Sequence, residues 1–448
     1  MGICVLAKRE LGMTETVRLI ILGSTGSIGT QALDVVAHIN SLADAGKLAV
    51  RFEVVGIAAG KNASLLCEQA RKFGVRAVAC AHGALSTDDL PTHARAFTGP
   101  NAAEELVRSV DCDTVLCAMV GFAGLPATLA AVERGRTIAL ANKETLVAAG
   151  SIVMDAAARS GARILPTDSE HAALWQCIEG PLALLDRETG DRSRRAVCPA
   201  QLRQLGASAI GLKSAILTAS GGPFRLRGKD AIESATAKDA LAHPTWSMGA
   251  KVTIDSASLT NKALELIEAH WLFGLPADKL RVLVHPQSVV HAIAEYEDGS
   301  STAQLAMPDM RVPIQRSLLW PRVAPGSTAA IRWGELRSLE FFEPDTDRFP
   351  ALLFGWRVIE EGGTSGATLN AANEEAVNAF LHESNRDRFP FGLLYQCVAE
   401  AMSALPSRPI GSYKDVLSAD AAARTFVRDR LRGMGYYVSH EPLKVSGV

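Results

Sequence analysis

A chain of 448 residues exceeds what one hydrophobic core serves, so two or three domains are expected. Its 48% apolar and 21% charged residues are ordinary for a globular protein. A net charge of −2 excludes a basic field able to hold nucleic acid or an anionic membrane, so any phosphate must be recognised by a local pocket.

Residues 1–17 carry Lys8, Arg9, Glu10 and Glu15 without a long apolar run. They read as a short extension, with Met13 as an alternative start, and not as a secretory signal. Short β-branched runs at Arg18–Leu22, Phe52–Ala58, Ala77–Ala79, Thr114–Met119, Thr137–Ala141 and Arg163–Pro166 then alternate with helical stretches such as Thr30–Ile39, Ser64–Phe73 and Pro126–Arg134. That alternation predicts an α/β fold that begins with a Rossmann-like, doubly wound parallel sheet over residues 1–167. The uncharged run from Thr114 to Val132 approaches membrane-spanning length. Gly121, Gly124 and Pro126 interrupt it, so it reads as a buried strand, a turn, and a helix with Pro126 in its first turn.

From residue 168 the pattern changes. Ala215–Thr218, Val282–Val284, Val289–Tyr296 and Ser301–Leu305 read as strands, the last two joined by an Asp298–Gly299 turn. They predict a middle α+β domain over residues 168–320 with a mixed or antiparallel sheet. Residues 180–211 read as a charged surface excursion, and residues 321–350 as a linker rich in Pro, Arg and Asp. Residues 351–448 read as a helical bundle, with Leu369–Leu381 its clearest helix. Eight cysteines, Cys4, Cys67, Cys80, Cys112, Cys117, Cys177, Cys198 and Cys397, form no Cys-x-x-Cys pair and show no zinc spacing. They are expected to be buried free thiols of a cytoplasmic protein.

The first strand runs into Gly23-Ser-Thr-Gly26-Ser-Ile-Gly29 and a helix. Glycines there let the backbone approach a pyrophosphate at a helix N-terminus, the alternative being a purely structural turn. The second strand ends in Ala59-Gly60-Lys61-Asn62, without the terminal carboxylate an NAD site wants. A lysine instead suits the 2′-phosphate of NADP, unless Lys61 is only a solvated loop residue. Further on, Asp168 and Glu170 are two apart on a segment read as extended, which turns both to one side toward a hard cation. Asn261, Lys262 and Glu265 share one face of a helix whose opposite stripe is Leu259, Ala263, Leu266, Ile267 and Trp271. Glu268, the rival carboxylate, reads as outward-facing. Ser220-Gly-Gly at a strand end suits an anion. His243-Pro-Thr-Trp246-Ser-Met248-Gly249 reads either as a loop that closes over a ligand or as one anchored to the core by Trp246.

The strings GSTGSIGT, AAGKN, ANKETLV, PTDSEH, LTASGGPF, HPTWSMG, KVTIDSASLTNKALE, VHPQSVVH, MPDMRVPI and LNAANEEAV occur in that order. Together, over nearly the whole chain, they resemble the 1-deoxy-D-xylulose 5-phosphate reductoisomerase family. The resemblance implies a homodimeric, NADPH-dependent oxidoreductase of the non-mevalonate isoprenoid route, aided by Mg²⁺, Mn²⁺ or Co²⁺ and acting on a small phosphorylated sugar. It implies that Thr25, Gly26, Ser27 and Ile28 hold the cofactor pyrophosphate and that Gly60, Lys61 and Asn62 hold the 2′-phosphate. Asn142, Glu144 and Gly249 would also meet the cofactor. Asp168, Glu170 and Glu265 would bind the cation and take part in catalysis with Lys143. Lys143, Ser169, Glu170, Ser220, His243, Ser256, Asn261, Lys262 and Glu265 would contact substrate, and Trp246 and Met248 would form the flap. Thr245 and Ala263 stand where the family usually has Asn and Gly, and neither departure removes a ligand. A dehydrogenase that reduces without isomerising is one rival reading. A catalytically inactive dinucleotide sensor is another, but it should have lost one of the three carboxylates, and all are present.

Overall fold

The computed structural model describes residues 14–83, 85, 89–188, 199–246, 248–386 and 388–438. Cys4, Cys198 and much of the 1–17 and 180–211 segments therefore lie outside the described residues. The strands are β1 (Glu15–Leu22), β2 (Val50–Ala59), β3 (Ala77–Cys80), β4 (Arg95–Thr98), β5 (Thr114–Cys117), β6 (Thr137–Leu140), β7 (Arg163–Pro166), β8 (Leu212–Ala219), β9 (Leu280–Val284), β10 (Val290–Tyr296) and β11 (Ser301–Leu305). The helices are α1 (Ser27–Asp44), α2 (Ala63–Phe73), α3 (Ala102–Ser109), α4 (Leu125–Glu133), α5 (Lys143–Ser160), α6 (Ser169–Glu188), α7 (Pro199–Leu205), α8 (Lys229–Glu233), α9 (Ala237–Ala240), α10 (Ala250–Ala257), α11 (Thr260–Phe273), α12 (Arg311–Leu319), α13 (Leu353–Glu361), α14 (Ser365–Leu381), α15 (Gly392–Ala404) and α16 (Tyr413–Gly433).

The first sheet is parallel throughout, in the order β4-β3-β2-β1-β5-β6-β7. Alternate residues of β1 serve opposite faces, as the period of a strand requires. Leu19 and Ile21 join one buried cluster with Val35 and Val36 of α1, whereas Ile20 and Leu22 join another with Leu106 of α3 and Leu146 of α5. The strand order reverses direction between β1 and β5, and ligands of doubly wound sheets lie at the carboxyl ends of the strands flanking such a switch. The first face has one further cover: Ile314 and Leu318 of α12 pack into the cluster of Leu19 and Val36, so a helix from far along the chain returns to the first sheet.

The second sheet runs β11-β10-β8-β9. Its β10 pairs antiparallel with both β8 and β11, and β8 pairs parallel with β9, so the sheet is mixed. Residues 321–349 contribute one bridge, Phe342 to Val284. The part of the 180–211 excursion before residue 189 continues helix α6, and α7 follows at Pro199, which corrects the irregular reading. Short β4 and α3 go beyond the sequence expectation; in the four residues Arg95–Thr98 only Phe97 is buried, which leaves no period to read.

In the C-terminal helices α14 is central, with Leu369, Ala372, Ala376 and Phe380 all buried. Gly366 lets its first turn approach α5, since a Cβ there would sit 2.0 Å from the Val147 carbonyl oxygen. Backbone cannot yield as a side-chain tip can. Gly366→Ala is therefore expected to cost about 1–3 kcal/mol, the usual range for overpacking, read as a lowered midpoint in denaturant unfolding. An unchanged midpoint would show that this contact is not close in solution.

Candidate active site

Half of the site leaves the carboxyl end of the parallel sheet, and the rest comes from β8, α10 and α11. After β1, Gly23 takes φ +85° and a Cβ on it would lie 2.5 Å from the Ala118 carbonyl oxygen, while a Cβ on Gly29 would lie 2.2 Å from that of Gly23. The turn is thus tight enough to require both glycines. Gly26 is the N-cap residue of α1, and no side chain caps the helix there. Its first-turn N–H groups remain available to an anion, which the helix dipole also favours. After β2, exposed Gly60, Lys61 and Asn62 follow, and Asn62 caps α2 by accepting from the Leu65 N–H at 3.1 Å.

Asn142 and Glu144 are already engaged within the protein. Asn142 Oδ1 caps α5 by accepting from the Thr145 N–H at 3.0 Å, and its Nδ2 donates to the Gly121 carbonyl at 2.9 Å. The Glu144 carboxylate pairs with Lys251 at 2.8 Å.

After β7, Asp168 precedes α6, and Ser169 and Glu170 occupy its first turn. Glu170 is therefore helical and not extended, which corrects the reason for their convergence: the helix start, not strand alternation, turns both carboxylates the same way. Glu265 reaches them from α11. Ligand oxygens of Asp168, Glu170 and Glu265 lie within 4.8 Å of one another. The helix carrying Glu265 begins only after a break, for Leu259 adopts φ +60° between α10 and α11.

Two ammonium groups compensate this charge. Lys143 Nζ lies 2.5 Å from Asp168 and 2.8 Å from Glu265; Lys262 Nζ lies 3.0 Å from Glu170 and also pairs with Glu265. Asn261 donates to the same Glu265 carboxylate. Burial opposes the charge on Lys143, but Asp168 and Glu265 outweigh it and hold its pKa well above the usual range. Burial likewise opposes the charge on Asp168, and Lys143 with His171 holds it well below the carboxylate range. Glu170 goes the other way: burial and then Glu265 push it up to about 7, against Lys262.

Behind this cluster lies a sealed layer that the sequence reading passed over. His171 and Glu268 are fully buried, and His171 Nδ1 stands 3.4 Å from Asp168 and 3.5 Å from Glu268. The His171 Nε2 is 2.8 Å from the Glu265 carbonyl oxygen. Glu268 thus faces inward, correcting the outward reading. The reason is that α11 is buried nearly all round, so an i, i+3 partner of Glu265 has no solvent face to occupy. The sequence signal was the spacing: His171 is three residues from Asp168, and Glu268 three from Glu265.

Ser220, at the end of β8, and Ser256, on α10, meet at His243, each hydroxyl 3.1 Å from its Nε2. The Thr245 and Trp246 N–H groups both donate to His243 Nδ1, at 3.1 and 2.9 Å. Nδ1 is therefore an acceptor, which assigns the ring proton of the neutral imidazole to Nε2; burial lowers its pKa and favours that neutral form. Trp246 leans toward His291, ring centroids 6.4 Å apart. His291, Ser169, Gln176 and Asp309 line an open cleft of ≈ 260 Å³. Gly249 starts α10, and Met248 is half-buried beside it.

A glycine turn at the switch point of a doubly wound sheet, with three clustered carboxylates able to hold a metal ion, is the arrangement of a Rossmann-like oxidoreductase. Known proteins narrow this. Models of 1-deoxy-D-xylulose 5-phosphate reductoisomerase match residues 19–150, and those of its C-terminal domains match residues 164–273 and 305–426. The reductoisomerase of Paraburkholderia xenovorans is 41% identical over 91% of this chain and 94% of its own, and that of Burkholderia cenocepacia is 42% identical over the same shares. Among solved structures, the Zymomonas mobilis reductoisomerase in complex with NADPH superposes with a TM-score of 0.78 at 34% identity, covering 93% of this chain and 99% of that one. A reductoisomerase in complex with NADPH, fosmidomycin and magnesium gives 0.81 at 32% identity, covering 94% and 99%. The chain belongs to the 1-deoxy-D-xylulose 5-phosphate reductoisomerase family.

The sealed layer makes stability depend on pH. Burial alone would depress His171, but Glu268 and Asp168 outweigh it and raise it to about 9 from an ordinary 6.5. Folding therefore favours its protonated form, a contribution present below pH 6.5 and lost as pH rises to about 9. Burial raises Glu268 to about 8, which favours the protonated form too and so acts in the same direction. A chelator-treated preparation should melt at a lower temperature at pH 9 than at pH 6.5, and His171→Gln should flatten that slope. A midpoint that rises with pH across this window would refute the assignment.

Proposed function

We propose that this chain uses NADPH and a divalent cation to convert 1-deoxy-D-xylulose 5-phosphate into 2-C-methyl-D-erythritol 4-phosphate. The observation that carries the reading is the meeting of Asp168, Glu170 and Glu265 with Lys143 at the same sheet edge as the Gly23–Gly29 turn. The complexes of the two solved relatives support it, one with NADPH and the other with NADPH, fosmidomycin and magnesium.

Both groups fit the residues present. Three carboxylates within 4.8 Å suit a hard cation, Mg²⁺, Mn²⁺ or Co²⁺, held by Asp168, Glu170 and Glu265. The uncapped start of α1 and its two obligatory glycines suit a pyrophosphate on Thr25, Gly26, Ser27 and Ile28, with Gly60, Lys61 and Asn62 at the 2′-phosphate. Asn142, Glu144 and Gly249 complete the cofactor set, the first two by holding the loop and helix it rests on. When bound, the cation supplies Lewis acidity for a retro-aldol/aldol exchange of the carbon skeleton, and NADPH supplies hydride to the resulting aldehyde.

The chain's own residues do the rest. Lys143, whose ammonium pairs with Asp168 and Glu265, places a positive charge beside the reacting oxygens. Ser169 orients the sugar backbone. Ser220, Ser256, Asn261 and Lys262 grip the phosphate, and His243 presents its Nε2–H between the two serine hydroxyls, where an anion's oxygen accepts it. Trp246 and Met248 close over the ligand and exclude water. Binding energy from the phosphate, remote from the reacting carbons, drives that closure.

The reading extends to a homodimer joined through the mixed sheet, supported by the exposed β11 edge and by exposed Phe341 and Phe342 beside β9. It places the enzyme in the cytoplasm, supported by six buried free thiols; among the described residues no helix is long and apolar enough to cross a membrane. It divides the chain after residues 167, 320 and 350.

Glu265→Gln should lower turnover at least about a hundredfold, the scale of a lost electrostatic stabiliser, in an assay of NADPH oxidation with 1-deoxy-D-xylulose 5-phosphate. Near-normal turnover, or full activity after removal of all divalent cations, would sink the cation role. Lys61→Ala should raise KM for NADPH about tenfold, as for one lost charge-assisted contact, and leave NADH unaffected. An equal loss with both cofactors would remove Lys61 from the 2′-phosphate. NMR of the product distinguishes isomerisation from simple reduction.

A further inference from the structure

The segment LNAANEEAV on α14 has no part in the roles above, yet its polar side chains are buried: Asn370 is 0% and Asn373 3% exposed. They lead to a network that reaches the starts of α10 and α5 and the turn after β5. Asn373 Nδ2 donates to Asp255 Oδ1 at 2.8 Å. The other oxygen of Asp255 pairs with Lys251 Nζ at 2.9 Å, and Lys251 reaches on to Glu144 at 2.8 Å. Next along α14, Glu374 accepts from the Phe122 N–H at 2.9 Å, which holds the turn after β5, and pairs with Arg424 of α16 at 2.6 Å.

The positions of these groups in the chain matter. Lys251 lies in the first turn of α10, two residues after Gly249, where the loop begun at His243 ends. Glu144 lies in the first turn of α5, immediately after Lys143. One ammonium therefore joins the root of the flap to the helix start that aims the Lys143 amine. Lys251, Glu144 and Asp255 are all sequestered from water, with side chains 13%, 6% and 1% exposed. Burial opposes the charge on Lys251, and Asp255 with Glu144 overcomes it. Such a pair is a poor source of net stability, because desolvation offsets much of the attraction. Its directional contacts instead fix one geometry.

We propose that Lys251 is a positioning residue, acting through Glu144 and Asp255 to hold the flap root and the Lys143 helix in the one relative placement that the closed site needs, with Asn373 of α14 as its outer anchor. The inference rests on the function proposed above. It assigns to the C-terminal helices a part in catalysis, for Asn373 of α14 reaches Asp255 of α10 and, through Lys251, Glu144 of α5.

The test compares wild type, Lys251→Met and Asp255→Asn in full-length protein with 1-deoxy-D-xylulose 5-phosphate and NADPH. Wild-type turnover of that pair is the control: its absence would refute the proposed function and say so separately. Given an active wild type, Lys251→Met should lower kcat at least tenfold and raise KM for the sugar phosphate several-fold, assayed well below its own melting temperature. The dissociation constant for NADPH alone, because Glu144 and Gly249 belong to the cofactor set, should rise as well, by less than the fall in kcat. Asp255→Asn keeps the Lys251–Glu144 pair and a side chain that can still meet Asn373, so it should fold and show a smaller loss in the same pattern. A merely structural brace predicts a lower melting temperature with wild-type kcat and KM in the folded variants, and that result overturns the proposal. Should Lys251→Met fail to fold, Asp255→Asn decides alone, wild-type kinetic constants again counting against it.

Discussion

Three carboxylates cannot share one nearly dry space unless positive charge accompanies them, and much of this molecule is arranged to meet that condition. Asp168, Glu170 and Glu265 come from the starts or middles of two helices, and their ligand oxygens fall within 4.8 Å. Lys143 and Lys262 stand between them. Isolated charges in such a place would neutralise themselves by taking up or losing protons. Here the ammonium groups keep Asp168 ionised, whereas Glu170 is pushed up to about 7. The site is therefore poised: a doubly charged ion would complete a balance that the lysines only partly supply.

That balance depends on where the fold begins and ends its helices. Parallel strands release their connections at one edge, and the turn after β1, the loop after β2, the start of α5 after β6 and the start of α6 after β7 are all connections of that kind. The second contribution comes from α10 and α11, between β8 and β9. Its approach is set by a short backbone break at Leu259 and by packing of α11 on α5 and α13. The candidate site thus sits on rigid element ends, and the segment from His243 to Gly249 is tied at its near end by the two N–H groups that His243 Nδ1 accepts.

Most of the parallel sheet was legible in the sequence, because fully buried strands such as Leu19–Leu22 are continuous apolar runs bounded by Gly or charged residues. The glycine turn and the Asp168, Glu170 and Glu265 grouping were legible for a different reason, the scarcity of side chains suited to those tasks. Burial of charge was not. A periodicity argument sends polar residues outward, so Glu268 was read as solvent-facing, and Lys251 went unnoticed beside Gly249. Both are charged residues on helices that are buried on more than one face, and only the three-residue spacing of Glu268 from Glu265 gives a local sign of it. Asp168 before α6 and Glu170 in its first turn are helix-start signals that outweigh the extended reading of Glu170, and β4 is too short to show a period.

Helix α12 adds a constraint of a different sort. Its Ile314 and Leu318 complete the apolar face formed by Leu19, Val35 and Val36, although nearly three hundred residues of chain separate them. A ribosome emits the β1-to-β7 sheet long before it emits that cover. During synthesis the nascent sheet therefore carries an unsealed oily patch, exposed until α12 emerges. A chaperone that binds apolar surface would find its longest opportunity on this protein there, and severing the chain before α12 would leave the patch open permanently.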